Sequence, residues 1–475
     1  MAFSAWGGGR ELNLKAGEDY SKQLKVEGLK VFHFVFTVAA FFVFWLYFSG
    51  RNTFDTDRIV FRYGYYVTVG YAVLVFWFYR AYNAYLLGYT RIRTLVYSQI
   101  LSQFFSAFIV LFVDSLAWNH WEATWFFPAM LAVQLFFDAA WSYVANNLYF
   151  KLYPTKRTIL IYRNDLDKMR FGSIKGKPTE RLYRIVEEFQ YDGHSFKAIR
   201  ERLVGYDAIF VAGVHSRCRN GIAKFCKEEG IVGFFLPHIG DVIMQEAKHI
   251  QTFDAPVLFI ERSHPKPEYR ILKRVFDIVA SLAGIIIFGP FMLITAAAIR
   301  LYDGGPALYK QVRLTTDGRE FEILKFRSMR VDAEKDGVAR LSTGDNDNRI
   351  TPIGKIVRMI RFDELPQLFN ILKGDMSFVG PRPERPEIAE RYYKMIPDFR
   401  LRLQVKAGLT GYAQVYGKYN TDPYEKLEFD LLYINNMSIL TDLRLIFATF
   451  GILFSKESTE GIEDGALTAI IEEEI

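Results

Sequence analysis

Cysteine is scarce in this chain of 475 residues, and histidine is missing from a large part of it. The only cysteines, Cys218 and Cys226, lie in one polar region without the spacing of a metal site, so we expect free thiols and no disulfide framework. From Pro265 onward the sequence has neither histidine nor cysteine. This absence excludes His–Ser and Cys–His nucleophilic systems and zinc sites there. Chemistry in that part must use carboxylates, basic side chains and backbone groups, which suit Mg²⁺ and substrate phosphates.

Two further absences narrow the possible functions. The segment 1–30 is polar and charged and lacks the pattern of a cleavable signal peptide. Residues 155–260 lack the G-x-G-x-x-G turn of a dinucleotide site, and they also lack a Tyr-x-x-x-Lys pair. Both absences argue against a membrane-tethered enzyme that modifies nucleotide sugars with this region. We expect a regulatory or scaffold role for it instead.

What the chain has in abundance is apolar sequence: 51% of its residues are hydrophobic and 16% are aromatic. Such a composition indicates membrane contact. Four apolar segments, each long enough to span a bilayer as a helix, come first: 31–50, 59–79, 95–113 and 125–148. Basic residues concentrate before the first, between the second and third, and after the fourth. The positive-inside rule therefore predicts that both ends of this bundle lie in the cytoplasm. Within the fourth segment, Asp138 is interpreted as a buried polar tie between helices, with a polar pathway as the alternative.

The rest of the chain predicts two more domains. Short β-rich runs alternate with charged helical stretches in residues 155–260, namely TILIY (158–162), AIFVAG (208–213), VGFFL (232–236) and APVLFI (255–260). This pattern predicts a small parallel sheet. We predict a membrane protein of mixed class: a four-helix transmembrane bundle in 1–150, a Rossmann-like α/β domain in 151–264, and a mostly helical catalytic domain in 265–475.

A fifth apolar segment, 274–301, opens the last domain. Basic residues flank it on both sides, so a spanning helix would leave one basic flank outside the cell. Pro290 follows Gly289 in its middle, where a proline removes a backbone hydrogen bond and kinks a helix. We predict a re-entrant helix that breaks at Pro290 and returns to the cytoplasmic face. A plain fifth span with a tolerated proline is the alternative.

Two adjacent carboxylates, Asp363 and Glu364, stand out in the last domain. An amphipathic basic stretch with Arg358 and Arg361 precedes them, which is typical of a helix lying on an anionic membrane surface. A proline- and arginine-rich loop that contains Arg382 follows. An acid pair that opens a helix can simply complement the helix dipole. A carboxylate near arginines on a membrane can also attack a phosphorus centre.

Other basic residues are candidate phosphate ligands. Lys325 and Arg327 follow a strand-like run, and Lys406 lies in the glycine-rich stretch VKAGLTGYAQVYGK (405–418), which is able to wrap a nucleotide or phosphate. The net charge of +6 fits anionic lipid, phosphate or nucleotide partners.

Four motifs in this order carry a family resemblance: KRVFDIVAS (273–281), KFRSM (325–329), DELPQLFNILKGDMSFVGPRPE (363–384) and VKAGLTGYAQVYGK. They resemble the bacterial sugar transferase family, whose members are monotopic phosphoglycosyl transferases. The similarity covers about 200 residues, from Ile271 to Phe454. The upstream bundle and α/β domain resemble the large initiating members, such as the undecaprenyl-phosphate galactose phosphotransferases. One departure is Ala407, where the family's nucleotide loop often has proline in K-P-G.

The resemblance implies a reaction in which a UDP-sugar donates its sugar-1-phosphate to undecaprenyl phosphate, giving a polyprenyl-diphospho-sugar and UMP. Asp363 takes the position of the nucleophile that forms a covalent phosphosugar intermediate, and Glu364 the position of its partner. Arg358 and Arg382 match phosphate-holding arginines, and Pro290 matches the helix-breaking proline. Mg²⁺, with Asp363 as its ligand, would neutralise the diphosphate.

The resemblance also implies the setting of the reaction. It places the chain in the bacterial plasma membrane with the catalytic domain on the cytoplasmic face, as a homodimer in contact with membrane lipid and without a nucleic-acid partner. The reaction would be the first membrane step of a surface polysaccharide. The competing hypothesis is a non-catalytic membrane scaffold of polymer assembly.

Overall fold

The structure is a computed structural model that describes residues 16–50, 57–118, 127–172, 178–253, 255–262, 265–331, 333, 349–417 and 421–452. The chain divides into two compact units, Met1–Leu236 and Pro237–Ile475. The predicted boundary near residue 264 lies inside the second unit. The acidic residues after 452 lie outside the described part of the chain.

The first unit begins with long helices, as hydropathy predicts. These are α1 (Ala16–Phe44, continued by a π-helical turn at Trp45–Gly50), α2 (Asp57–Ala81), α3 (Ile92–Trp118) and α4 (Phe127–Leu152). Among the described residues, four stretches are long and apolar enough to cross a membrane: Tyr20–Tyr47, Ile92–Leu116, Phe127–Leu152 and Pro267–Asp303. Three of them belong to this bundle. The second predicted segment, 59–79, is helical as α2 but is not among the four.

Asp138 lies at the centre of the bundle with its side chain fully buried. Its Oδ1 is 2.9 Å from Nε2 of His33 on α1 and accepts a 3.1 Å hydrogen bond from Nε2 of Gln103 on α3. The same glutamine donates to the hydroxyl of Tyr79 on α2. A polar group buried among apolar side chains is costly unless it is paired. Asp138 is therefore a polar tie that joins the helices, as predicted.

A parallel sheet follows the bundle in the first unit. Its strands are β1 (Lys156–Tyr162), β2 (Tyr183–Gln190), β3 (Ala208–Val211) and β4 (Val232–Phe235), in the order β2-β1-β3-β4. Helices α5 (Asp165–Gly172), α6 (Phe196–Ile199) and α7 (Ser216–Glu229) lie between them in sequence. The parallel sheet is confirmed, whereas its Rossmann-like character stays a prediction.

The prediction from sequence was wrong at two strands of this region. It missed β2, in which exposed and partly buried positions alternate, with Arg184 and Glu188 exposed and Glu187 partly buried. It also placed APVLFI in the parallel sheet. That run forms β6 (Ala255–Phe259), which pairs antiparallel with β5 (Lys248–Phe253) after the short helix α8 (Ile239–Gln245) in the second unit.

The second unit contains the longest helix, α9 (Pro267–Asp303), which includes Pro290. Its apolar residues are largely exposed, among them Ile286, Ile287, Phe291, Leu293 and Ile294. A continuous exposed apolar surface of this kind marks a site of membrane or protein contact. The assigned helix is continuous through Pro290, and the re-entrant course stays a prediction.

The remaining elements of the second unit follow α9 in sequence. They are β7 (Leu308–Leu314), β8 (Glu320–Phe326), α10 (Pro352–Met359), α11 (Gln367–Lys373), β9 (Ser377–Val379), α12 (Pro386–Met395), β10 (Gly408–Thr410), α13 (Tyr412–Tyr416), α14 (Pro423–Asn435) and α15 (Ile439–Ile452). Strands β7 and β8 form an antiparallel hairpin, and β9 pairs with β10 in parallel. The main core packs α12, α14 and α15 around Tyr392, Phe399 and Leu427.

One buried amide joins the hairpin to α11. Nδ2 of Asn370 donates to the carbonyl oxygen of Glu322 at 2.7 Å, and its Oδ1 accepts from the backbone N–H of Leu324 at 2.9 Å. Both contacts are to β8. A side-chain amide that satisfies a strand's donor and acceptor fixes the helix in register with that strand. Lys325, the next residue on β8, is thereby held beside the segment that precedes α11.

We predict that Asn370→Leu destabilises the second unit by about 2–4 kcal/mol. The substitution leaves two backbone groups of β8 without a hydrogen-bond partner, and each unsatisfied group costs about 1–3 kcal/mol. Urea unfolding followed by circular dichroism in lipid nanodiscs would measure it. Asn436→Ala is the control, since Asn436 is exposed and its amide bonds only the carbonyl of Leu432. Equal effects of the two substitutions would contradict the assigned role.

Candidate active site

The backbone around Asp363 and Glu364 is sharply bent. Helix α10 ends at Met359, and Arg361 then adopts left-handed angles (φ 57°, ψ 20°) before a single 3₁₀ turn at Phe362–Glu364. A non-glycine residue in this region costs about 1–2 kcal/mol, and such strain concentrates at functional sites. The acid pair therefore precedes α11 rather than forming its first turn. Helix α11 ends at Lys373 and is capped by Gly374, whose φ is 99°.

Glu364 is tightly held by basic side chains. Its Oε1 lies 3.3 Å from Nζ of Lys325 and 3.5 Å from Nη2 of Arg382. Burial alone would raise the pKa of Glu364, but the positive charges of Lys325, Arg382 and Arg361 outweigh it and hold that pKa well below its usual range. The carboxylate of Glu364 is thus a fixed anion that orients two cations.

Asp363 differs from its neighbour although the two are adjacent in sequence. Its Oδ1 is buried and accepts no hydrogen bond from the described residues. Burial and the negative charge of Glu364 raise the pKa of Asp363, against the lowering effect of Lys325, Arg358 and Arg361. A carboxylate oxygen without a hydrogen-bond partner keeps its lone pairs available, as a nucleophile or a metal ligand requires. The environment therefore divides the pair into an anchored acid, Glu364, and an acid whose Oδ1 has no hydrogen-bond partner among the described residues.

The predicted amphipathic helix α10 is present, with one face buried and one exposed. Val357 is buried against Met292 and Ile299 of α9, whereas Ile356, Met359 and Ile360 are exposed apolar side chains. Arg358 turns towards the protein, where its Nε donates to Oγ of Ser328 at 2.8 Å. The exposed apolar face fits the predicted contact with a membrane surface.

The acid pair lies beside the middle of α9. Phe362, which directly precedes the pair, packs edge-on against Phe288 with ring centroids 6.3 Å apart. Leu365, which directly follows it, packs in the same clusters as Ile285. Phe288 is two residues from Pro290. Asp363 is therefore placed next to the apolar centre of α9.

Two predicted phosphate ligands lie elsewhere. The guanidinium of Arg327 is buried and paired with Asp303 at the end of α9, and its Nε donates to the carbonyl of Pro306 at 2.7 Å. Lys406 is exposed, and the charged groups that act on it include Arg274 and Asp277. Arg274 donates to the last carbonyls of α11, about 10 Å along that helix from the acid pair. The structure thus brings Lys325, Arg358, Arg361 and Arg382 to the pair, but not Arg327 or Lys406.

A second charged cluster, which sequence reasoning missed, supports Arg382. Arg402 donates to the carbonyl oxygen of Arg382 at 2.8 Å and is paired with the buried Asp430 at 2.7 Å. Its Nη1 is 3.7 Å from Glu384. The signal in the sequence was Asp430, an acid within the apolar stripe of α14 beside Leu427, Leu431 and Ile434. Arg402 therefore fixes the loop that presents Arg382 to Glu364.

A metal ion would have few protein ligands here. Among the described residues, no group of three or more His, Cys, Asp or Glu side chains could hold one. Mg²⁺ commonly binds through one or two carboxylates together with water and substrate phosphates. Oδ1 of Asp363, which accepts no hydrogen bond from the described residues, could supply such a carboxylate oxygen, whereas Glu364 is paired with two cations.

We predict that Asp363→Asn raises and Glu364→Gln lowers the melting temperature at pH 7. Because the pKa of Asp363 is raised in the fold, its ionised form destabilises the protein above that pKa. Because the pKa of Glu364 is lowered, its ionised form stabilises the protein above the unfolded value, and this contribution is lost as pH falls through the lowered pKa. Each kcal/mol shifts the melting temperature of a unit of this length by about 2–4 °C.

Differential scanning fluorimetry in nanodiscs measures both shifts, with Asp398→Asn as an exposed control on the same unit. Shifts of the same sign for Asp363→Asn and Glu364→Gln would contradict the division of the pair.

Comparison with known proteins finds similar sequences for the part of the chain that contains this candidate site. The family model described as bacterial sugar transferase matches residues 268–456. A UDP-N-acetylgalactosamine-undecaprenyl-phosphate N-acetylgalactosaminephosphotransferase of Aeromonas hydrophila is 42% identical over 188 residues, which is 39% of this chain and 44% of that protein. The matched part of the chain thus spans less than half the length of this relative.

Two shorter relatives are covered more fully. A UDP-glucose:undecaprenyl-phosphate glucose-1-phosphate transferase of Caulobacter vibrioides is 38% identical over 199 residues, 41% of this chain and 74% of that protein. An exopolysaccharide production protein of Rhizobium leguminosarum bv. phaseoli is 42% identical over 188 residues, 38% of this chain and 93% of that protein. The match contains the acid pair, the basic residues around it and α9. The chain therefore belongs to the bacterial sugar transferase family.

Proposed function

We propose that this protein transfers a sugar-1-phosphate from a UDP-sugar to undecaprenyl phosphate, and that this is the first membrane step in the synthesis of a surface polysaccharide. One observation carries the proposal: a reactive carboxylate, Asp363, lies beside an anchored one and two cations, next to the middle of an exposed apolar helix. The lipid substrate is confined to the bilayer and the UDP-sugar to water. A nucleophile at the membrane surface is within reach of both.

The proposed chemistry proceeds in two displacements. An oxygen of Asp363 attacks the phosphorus that bears the sugar, an O–P bond forms, and the P–O bond to the leaving UMP breaks with its electron pair on UMP. An oxygen of undecaprenyl phosphate then attacks the same phosphorus and the Asp363–phosphorus bond breaks. The products are undecaprenyl-diphospho-sugar and the restored carboxylate, and no net proton transfer is needed.

The neighbouring residues have defined tasks in this scheme. Lys325 and Arg382 are oriented by Glu364 and donate hydrogen bonds to phosphoryl oxygens, where they stabilise developing negative charge. The positive charges of Arg358 and Arg361 help to keep Asp363 ionised. When bound, Mg²⁺ would supply further neutralisation of the diphosphate. Asp363 would contribute the protein ligand, since its Oδ1 accepts no hydrogen bond from the described residues.

We also propose that α9 is re-entrant and that the second unit lies on the cytoplasmic face of the plasma membrane. Contacts at both ends of α9 support this. Near its start, Lys273 pairs with Asp442 of α15 at 2.7 Å, and at its end Asp303 pairs with Arg327 after β8. A straight helix of 37 residues is about 55 Å long, whereas the hydrocarbon core is about 30 Å thick. Helix ends on opposite sides of a bilayer could not both bind one polar unit. A homodimer is proposed from the family resemblance alone.

We predict that the purified chain, in nanodiscs with Mg²⁺ and the correct UDP-sugar, releases about one equivalent of UMP before any undecaprenyl phosphate is added, and turns over when it is added. Asp363→Asn would reduce the rate of UMP release and the rate of turnover by at least about 10³-fold each, because the nucleophile is lost. Rapid-quench chromatography of UMP measures the release, and Asp398→Asn is the control.

Release only after addition of the lipid would argue for direct transfer without a covalent intermediate. Unchanged turnover in Asp363→Asn would show that Asp363 is not the nucleophile. No release with any common UDP-sugar would favour the scaffold hypothesis.

For α9 we predict labelling from one side of the membrane. The two native cysteines are buried, so Glu268→Cys and Tyr302→Cys each place one exposed thiol near an end of the helix. A membrane-impermeant maleimide added to sealed vesicles of known orientation should label both positions from the cytoplasmic side. Labelling of the two positions from opposite sides would show a plain span.

A further inference from the structure

The charged cluster around Arg382 contains more basic than acidic side chains. Glu384 and Asp430 are its acids, and Arg313, Arg382, Arg402 and Lys426 surround them. Burial raises the pKa of Asp430 to about 6, against the lowering effect of Arg402 and Lys426. The cluster is continuous with the active site through Arg382, which also contacts Glu364. An excess of cations beside a proposed site of phosphoryl chemistry indicates an anionic ligand.

Most of these cations have a protein partner. Arg402 bonds the carbonyl of Arg382 and pairs with Asp430. Arg313 donates to the carbonyl of Pro383 at 3.0 Å and to Gln311 at 2.7 Å. These two guanidinium groups therefore stabilise the loop that contains Arg382 and Pro383, and we do not assign them to substrate binding.

Lys426 is the exception within the described part of the chain. Its ammonium group makes no hydrogen bond and no ion pair with a described residue, although the charges of Glu384, Arg402, Arg382 and Asp430 act on it and burial lowers its pKa. It also lies in the first turn of α14, where the helix dipole disfavours a cation. A partly buried cation that lacks a partner and lies in an unfavourable position destabilises the protein as long as no anion is bound to it. An arriving anion would supply the missing partner.

The surroundings of Lys426 indicate which anion it binds. The acid pair contacts α9 through Phe362 and Leu365, so the membrane-confined phosphate reaches Asp363 from that side. Lys426 instead stands on α14, which packs against α8 and the 3₁₀ segment Pro397–Gln404. Arg382 lies between the two clusters. The phosphate next to Lys426 therefore belongs to the substrate that arrives from water.

We infer that Lys426, together with Arg382, binds a phosphate of the nucleotide substrate, namely the one that leaves as part of UMP. This inference rests on the proposed function. Lys426 would stabilise the leaving group by charge and release it when UMP dissociates, whereas Lys325 acts at the phosphorus that is attacked. Nucleotide affinity should then depend on Lys426, and affinity for the lipid phosphate should not.

The test compares Lys426→Met and Lys426→Arg with Lys394→Met, an exposed lysine of the same unit, each as the full chain in nanodiscs. Isothermal titration with UMP measures binding without turnover. We expect the Kd for UMP to rise at least 10-fold in Lys426→Met, to recover substantially in Lys426→Arg, and to stay unchanged in Lys394→Met. The KM for the UDP-sugar should rise in parallel, with the KM for undecaprenyl phosphate within twofold of the wild-type value.

Several results would overturn the inference. One is a Kd for UMP within twofold of wild type in Lys426→Met, and another is a change confined to the KM for undecaprenyl phosphate, which would assign Lys426 to the lipid phosphate. A lowered melting temperature in Lys426→Met with no recovery of UMP binding in Lys426→Arg would make the residue structural. UMP binding that depends on Lys426 in a protein without turnover would support this inference and reject the proposed function, so the two fail separately.

Discussion

The ion pairs of Glu364 with Lys325 and Arg382 are the interaction on which the rest of the site depends. Two adjacent carboxylates with equal surroundings would repel each other and share their protons. Here one of them receives both cations, while Oδ1 of the other accepts no hydrogen bond from the described residues. The same contacts thus keep Glu364 ionised, place Lys325 and Arg382 around the reacting position, and leave Asp363 available. Neutralising Glu364 would remove the anion that orients both cations, and Lys325 and Arg382 would no longer be held in place.

The second unit supports these pairs from several directions. Asn370 holds β8 against α11, which places Lys325. Arg402 holds the carbonyl of Arg382, and its own charge is matched by the buried Asp430. These supports are hydrogen-bonded and buried, so they constrain geometry more than they add stability. The strained backbone of Arg361 is tolerated because the elements on both sides of it are fixed.

The sequence predicts the elements of this protein better than it predicts their contacts. Hydropathy locates the long helices because an apolar run of about 20 residues rarely occurs outside helices that contact a membrane. The family motifs identify Asp363, Glu364, Lys325 and Arg382 because these residues occur in long, specific blocks. Arg327 and Lys406 occur in similar blocks, yet their side chains point to Asp303 and to the region of Arg274. A motif specifies a position in the chain, and the direction of a side chain depends on packing that the motif does not contain.

Long-range pairs were the hardest to predict. Asp430 and Arg402 are partners across 28 positions of sequence, and neither lies in a motif whose chemistry is evident. Strand β2 was missed for a related reason: only its pairing with β1 makes an alternating, charged stretch into a strand. In each case tertiary contact decides the outcome and local propensity does not.

The position of the acid pair along α9 connects the fold to the proposed reaction. A nucleophile near either polar end of that helix would be surrounded by water and remote from a phosphate anchored in the bilayer. Beside Phe288, two residues from Pro290, it is placed where an exposed apolar surface meets a cluster of cations. The apolar surface can enter lipid and the cations cannot, so we propose that their meeting point lies at the membrane boundary. Because both proposed substrates carry phosphate but only one is held in the bilayer, this boundary is the place where a single carboxylate can react with each in turn.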